Sequence, residues 1–90
     1  MPRYLIEHSF SEALDWGCDV GQHDRIRQAV DLATQNGMLW IHSYMAVDQQ
    51  RAVTIAEARS AADIRAAMHS VGWPIDRITE IRVLDPQSLV

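Results

Sequence analysis

The chain has 90 residues, of which 48% are hydrophobic and 22% charged, and this length fits one small domain spanning 1–90 and excludes a second. Eight basic residues against twelve acidic ones give a net charge of −4, which argues against nucleic acid as a partner because phosphate backbones attract cations. All eight basic residues are arginine, and the lack of lysine excludes Schiff-base chemistry and the lysine of phosphate-binding loops.

The compartment is predicted from the cysteine content and from the start of the chain. The single cysteine, Cys18, excludes an intrachain disulfide and a cysteine-rich metal cluster. The first residues, Met1-Pro2-Arg3-Tyr4, lack a charged lead followed by an apolar run, so we expect no signal peptide and a cytoplasmic location. No apolar stretch approaches the roughly 20 residues of a membrane-spanning helix, so we expect no membrane contact.

The first third of the chain predicts a strand, a connection and a helix. Residues 3–10 contain β-forming residues and no breaker, which predicts a strand with Tyr4, Ile6 and His8 on one face and the residues between them on the other. The composition of residues 11–22 predicts a turn-rich connection. The sequence assigns no role to Trp16 and Cys18 in this connection or to His23 after it. Helical spacing of apolar residues then predicts a helix over 23–36.

The rest of the chain predicts a hairpin, a second helix and a last strand. The β-like runs 38–47 and 50–58 flank a short polar segment, Asp48-Gln49. Ser60 is an expected N-cap, and Gly72 is the expected end of the helix that follows. Residues 77–85 alternate apolar and polar side chains, which predicts a final strand.

This order, β-α-β-β-α-β, predicts an α+β fold of the ferredoxin-like kind, with a four-stranded antiparallel sheet and both helices on one face. A two-residue turn in the hairpin would set its register. The partners on one face would then be Tyr44 with Val53, His42 with Ile55 and Trp40 with Glu57. The other face would hold Leu39, Ile41, Ser43 and Met45 with Ala52, Thr54 and Ala56.

Both faces of this hairpin are substantially apolar. A strand of an antiparallel sheet with one solvent-exposed face would instead alternate apolar and polar residues. We therefore expect the Leu39, Ile41 and Met45 side to face the helices. A second copy of the chain is expected to cover the other side, sheet against sheet, as in dimeric α/β-barrels, because a twofold interface needs only one self-complementary patch. The sequence thus predicts a homodimer.

The candidate functional residues are polar groups among apolar strand neighbours. His42 and Glu57 are predicted diagonal neighbours on adjacent strands, and Glu7 is a further carboxylate. An imidazole with carboxylates suits nickel, zinc, copper or iron(II), so we expect His42, Glu57 and Glu7 as metal ligands. The alternative for the carboxylates is an ion pair with Arg3 or Arg82. His8 should point away from Glu7, because neighbouring strand residues face opposite sides.

Several segments resemble a family of small bacterial ferredoxin-like proteins, most of them described as a domain of unknown function. The segments are Tyr4-Leu5-Ile6-Glu7, Trp40-Ile41-His42-Ser43-Tyr44, Glu57-Ala58 and Gly72-x-Pro74-x-x-Arg77-Ile78-Thr79-Glu80-Ile81-Arg82. One branch of this family binds nickel as a dimer. The resemblance therefore implies a homodimer with the fold above and a role in nickel binding or sequestration.

Three hypotheses for function remain open. The first is a dimeric protein that binds nickel or another divalent transition metal. The second is a small cofactor-free oxygenase, isomerase or cyclase, with His42 as the acid or base and Tyr44 or Glu57 orienting a substrate. The third is a structural or interaction module. The chain contains no nucleotide-binding motif, no haem motif and none of the common hydrolase motifs.

Overall fold

The computed structural model describes residues 1–11 and 20–89. Most of the predicted connection 11–22 lies outside the described residues, including Trp16 and Cys18. The side chain of His23 also lies outside them. The described elements are β1 (Arg3–Ser9), α1 (Val20–Gln35), β2 (Leu39–Met45), β3 (Arg51–Glu57), α2 (Ala61–Val71), β4 (Arg77–Ile81) and a 3-10 turn (Pro86–Leu89). This order confirms the predicted ferredoxin-like α+β fold.

The strands form one antiparallel sheet in the order β2-β3-β1-β4. The last strand is shorter than the predicted range 77–85. It ends at Ile81, which pairs with Arg3, and Arg3 is the first residue of β1. Residues beyond Ile81 therefore have no partner strand, and Val83 and Leu84 are exposed.

The core lies between one face of the sheet and both helices. Alternate residues of the two central strands point into it, including Tyr4 and Ile6. Ala33 of α1 and three residues of α2 close the core from the other side, namely Ile64, Ala67 and Met68. Both helices therefore cover the same sheet face, as the sequence predicts.

The second helix has the caps that its sequence predicts. The backbone N–H of Asp63 donates to the Ser60 Oγ at 3.3 Å, which satisfies one of the open donors of the first turn. Gly72 ends the helix with a φ of 78°, a left-handed conformation that favours glycine. The chain after Gly72 then returns towards the sheet, where Trp73 packs against the core.

The hairpin differs from its prediction in two places. The Ala46 N–H donates to the Arg51 carbonyl at 2.8 Å, so the connection comprises residues 47–50 rather than a two-residue turn, and Val47 does not pair with Gln50 in the sheet. The longer connection adds one residue to each side. The register of His42 with Ile55 and of Tyr44 with Val53 is therefore as predicted.

A β-bulge between Trp40 and His42 changes the faces of the first residues of β2. Trp40 lies opposite Ala56 instead of Glu57, and it packs against the core. Leu39 lies opposite Glu57 and is 50% exposed. The predicted faces of Leu39 and Trp40 are therefore wrong, because the extra residue, Ile41, shifts the alternation by one position.

The other sheet face, here called the open face, is covered by neither of the described helices. Its side chains include apolar groups from all four strands, with Tyr44 63% exposed. The apolar members include Leu5, Leu39, Tyr44, Val53, Ile55 and Ile81. Among the described helices, none is long and apolar enough to cross a membrane.

Candidate functional site

The strand registers place all three predicted metal ligands on the open face. His42 lies opposite Ile55 on β3, and Glu57 lies two residues further along that strand. Glu7 lies on β1 opposite Val53, which in turn lies opposite Tyr44. The predicted diagonal of His42 and Glu57 is therefore present, while Glu7 is two strands away from His42.

The His42 imidazole is exposed and lies against the Tyr44 ring. The ring centroids are 4.9 Å apart and the planes are nearly perpendicular, at 80°. The two residues are separated by one position on β2, so they point to the same face. This edge contact holds the imidazole beside Tyr44, and His42 is exposed.

Both candidate carboxylates have arginine neighbours. The Arg3 Nη2 donates to the Glu57 Oε1 at 2.9 Å, and the Arg77 Nε lies 4.0 Å from the Glu7 Oε2. The sequence-based alternative, an ion pair with Arg3, therefore describes the resting contact of Glu57. In the described part of the chain, no three histidine, cysteine, aspartate or glutamate residues cluster closely enough to hold a metal ion.

A buried chain of hydrogen bonds crosses the helix-covered face of the sheet. His8 is 1% exposed, and its ring nitrogens lie 2.7 Å from the Pro74 carbonyl oxygen and 2.7 Å from the Thr54 Oγ1. The Thr54 Oγ1 lies 2.7 Å from the Ser43 Oγ, which accepts a hydrogen bond of 2.9 Å from the Trp40 indole N–H. We call these four side chains, Trp40, Ser43, Thr54 and His8, the polar chain.

The Pro74 carbonyl, to which His8 bonds at the end of the polar chain, determines which group donates in each hydrogen bond of the chain. The Pro74 carbonyl can only accept, so the His8 Nδ1 carries a proton, and in the neutral ring the Nε2 is an acceptor. The Thr54 hydroxyl therefore donates to His8, and the Ser43 hydroxyl donates to Thr54. The donors of Trp40, Ser43 and Thr54 thus all point towards His8, whose own Nδ1–H donates to the Pro74 carbonyl.

Sequence reasoning assigned no role to the polar chain, although part of its signal was readable. The alternation in β1 predicts that His8 shares a face with Tyr4 and Ile6, and such a face is buried. A histidine at a buried strand position needs hydrogen-bond partners. Thr54 and the Pro74 carbonyl supply them, and Ser43, which the predicted register places opposite Thr54, bonds to Thr54 in turn.

Burial lowers the pKa of the His8 imidazole below its ordinary 6.5, against the smaller opposing effects of the Pro74 carbonyl and the Asp76 charge. The unfolded chain therefore binds a proton near pH 6.5 that the folded chain does not bind. The free energy of unfolding should consequently fall as the pH drops below 6.5, by at most about 1.4 kcal/mol per pH unit for this one proton.

Urea unfolding at pH 7.5 and pH 5.5 measures this change in the free energy of unfolding. Both pH values lie above the ordinary pKa values of carboxylates, so carboxylate protonation contributes little. The His8→Gln variant is the control, since it lacks the titrating ring. We expect a smaller loss of stability between the two pH values in His8→Gln than in the wild type. An equal loss in both proteins would show that His8 is not the responsible group.

A cavity of about 380 Å³ lies between β2 and the middle of α1. Its described lining residues are Ile26, Val30, Trp40, Ile41, His42, Ser43, Met45 and Trp73. A second cavity, of about 430 Å³, lies at the end of the sheet and is lined by Glu7 and Tyr44. His42 and Tyr44 thus border different cavities, and Glu57 borders neither of these two.

Comparisons with known proteins agree with this fold. A family model described as "Nickel responsive protein SCO4226-like" matches residues 4–81. The crystal structure of SCO4226 from Streptomyces coelicolor A3(2) superposes with a TM-score of 0.71 and 12% sequence identity, covering 92% of this chain and 99% of that chain. At this identity the superposition supports the fold alone. No curated protein sequence gave a significant match.

Proposed function

Because the chain belongs to the SCO4226-like family of nickel responsive proteins, we propose that it binds nickel as a cytoplasmic homodimer joined through the open face. The observation that carries the proposal is an exposed imidazole, His42, on an apolar sheet face that the described residues 1–11 and 20–89 leave uncovered. Imidazole nitrogen is a good ligand for nickel, and carboxylates complete a suitable donor set. Sequestration of the metal is the role that such a site would serve.

Dimerisation through the open face is supported by its composition. Leu39 and Tyr44 are large side chains that are at least half exposed in the single chain. Covering them removes apolar surface from water, which favours association by roughly 25 cal/mol for each Å². A twofold axis through this face would let one patch cover itself, as in the dimeric α/β-barrel architecture.

The need for a second copy also follows from the ligand count. The described residues of one chain offer no cluster of three ligands, and Glu57 and Glu7 each have an arginine neighbour. Two copies packed face to face supply two His42 side chains and four carboxylates from Glu57 and Glu7. In this arrangement His42 is the primary ligand. The carboxylates of Glu57 and Glu7 would bind the metal in place of their arginine neighbours, Arg3 and Arg77.

Calorimetric titration with nickel chloride tests the role of His42. We expect saturable binding by the wild type, and binding at least about tenfold weaker for His42→Ala, because loss of even an indirect partner of a metal ligand costs 10–100-fold in affinity. Glu57→Gln and Glu7→Gln should also weaken binding, since the amide carries no charge.

The matched control is His69→Ala, which removes an exposed histidine from α2, on the side of the sheet away from the open face. This variant should bind nickel as the wild type does. Identical titrations for the wild type and His42→Ala would remove His42 from the site, and equal losses for His42→Ala and His69→Ala would indicate unspecific binding by surface imidazoles.

The small-enzyme hypothesis has one observation in its favour, the cavity between β2 and α1. His42 borders that cavity, whereas Tyr44 and Glu57 do not. A reaction there would therefore depend on His42 and on the polar chain rather than on the predicted trio of His42, Tyr44 and Glu57. If the protein has neither metal affinity nor a ligand for this cavity, the interaction-module hypothesis is the one left.

A further inference from the structure

The cavity between β2 and α1 has aromatic and aliphatic walls, with the His42 imidazole and one hydroxyl group on its surface. Ile26 and Val30 line it from α1, and Trp40 and Trp73 line it from the sheet side, with their rings edge to face at a centroid distance of 5.0 Å. Its volume of about 380 Å³ lies within the range of small-molecule sites, roughly 300–1,000 Å³. Such walls fit a flat apolar ring.

The hydroxyl is that of Ser43, whose hydrogen-bonding capacity is fixed by the polar chain. Ser43 donates its one proton to Thr54 and accepts the Trp40 indole N–H, and these are its side-chain hydrogen bonds among the described residues. A hydroxyl oxygen has two lone pairs, so one acceptor position remains. Ser43 therefore presents an acceptor to the cavity, and it has no proton left to donate.

This acceptor position determines which polar group a ligand needs. A ligand hydroxyl that donates to the Ser43 Oγ would extend the row of donors that ends at the His8 Nε2, and aligned hydrogen bonds strengthen one another. A ligand with only an acceptor, such as an ether, would gain no hydrogen bond from Ser43. At this position the cavity therefore discriminates between two ligands of the same shape.

We propose that this cavity binds a small aromatic molecule of the phenol class, with its ring beside Trp40 and Trp73 and its hydroxyl donating to the Ser43 Oγ. His8 and Thr54 do not touch the ligand. They are positioning residues that hold the Ser43 proton away from the cavity. His42 borders this cavity as well as lying on the open face, but the contacts proposed for the ligand, with Trp40, Trp73 and Ser43, involve neither nickel nor a second chain.

Phenol and anisole are the probes, because they share a ring while anisole has an oxygen without a proton. Titrations followed by two-dimensional NMR report on the site through the Trp40 indole N–H signal, since this group shares the Ser43 oxygen with the ligand. We expect saturable shifts with phenol and an affinity about tenfold lower for anisole, the effect of one hydrogen bond.

Two variants separate the ring contacts from the hydrogen bond. Ser43→Ala should reduce the affinity for phenol to that for anisole and leave anisole binding unchanged. Val30→Trp should fill the cavity from α1 and leave all four side chains of the polar chain in place, and it should abolish binding of both probes. Circular dichroism verifies that each variant is folded.

Three outcomes would overturn the proposal. Equal affinities of the wild type for phenol and anisole would show that Ser43 does not act as the acceptor. Unchanged binding by Val30→Trp would place the probes elsewhere on the protein. The absence of saturable shifts with either probe at millimolar concentrations would show that the cavity holds no ligand of this class.

Discussion

Replacing Ile55 with arginine should convert the proposed dimer into monomers at micromolar concentration. Ile55 lies between Leu5 and His42 in one row across the open face, so its side chain would be near the centre of the interface. A twofold interface would bury the new charge in both copies. A buried charge without a partner costs several kcal/mol, so we expect an increase in the dimer dissociation constant of at least about 100-fold.

Sedimentation equilibrium measures this dissociation constant. Ala66→Arg is the matched control, because it places the same charge at an exposed position of α2, away from the open face. The control should sediment as the wild type does, and both variants should retain the circular dichroism of the folded protein. A dimer of unchanged stability in Ile55→Arg would exclude the open face as the interface.

Replacing Thr54 with valine should lower the free energy of unfolding by about 2–4 kcal/mol. Thr54 is fully buried, and its hydroxyl joins two hydrogen bonds of 2.7 Å, one to His8 and one to Ser43. Valine has nearly the same shape but no hydroxyl. The His8 Nε2 would then be a buried acceptor without a donor, which costs more than the bond itself contributes.

The control for this change is Thr54→Ser, which keeps the hydroxyl and removes one methyl group. We expect it to cost about 1 kcal/mol, the value for one buried methyl group. Urea unfolding at a fixed chain concentration compares the three proteins, because dimerisation would make stability depend on concentration. Equal losses for Thr54→Val and Thr54→Ser would show that the polar chain contributes little to stability.

The fold was predictable because local signals in this sequence agree with the tertiary structure. The alternation of Tyr4, Ile6 and His8 marks the buried face of β1, and Ser60 and Gly72 bound α2 where capping chemistry requires. The final strand was predicted too long. Its length depends on where β1 begins, which is a property of the strand pairing rather than of residues 82–85.

The bulge at Ile41 could not be predicted from the residues of β2. The strand contains no glycine there, and both of its faces are apolar, so the hydrophobic pattern fits either alternation. The bulge turns Trp40 to the core, where its indole N–H donates to Ser43. Tertiary packing and one hydrogen bond therefore decide a register that the local sequence leaves open.

The candidate sites were predictable in part, for the same reason. The shared face of His42, Glu57 and Glu7 follows from alternation and from the hairpin register. The contact of Glu57 with Arg3 and the link from Thr54 to His8 depend on the pairing of β1 with β3, strands that are distant in sequence. A single sequence does not determine that register, so the polar chain became visible only in the structure.

Native mass spectrometry of the protein with nickel chloride tests most directly whether two chains share one metal site. We expect a species with twice the 10.2 kDa mass of the chain, carrying bound nickel that is lost in the His42→Ala variant. Nickel bound to a single chain, or a two-chain species that binds nickel equally well without His42, would contradict the proposal that the open face joins two chains around a His42-dependent nickel site.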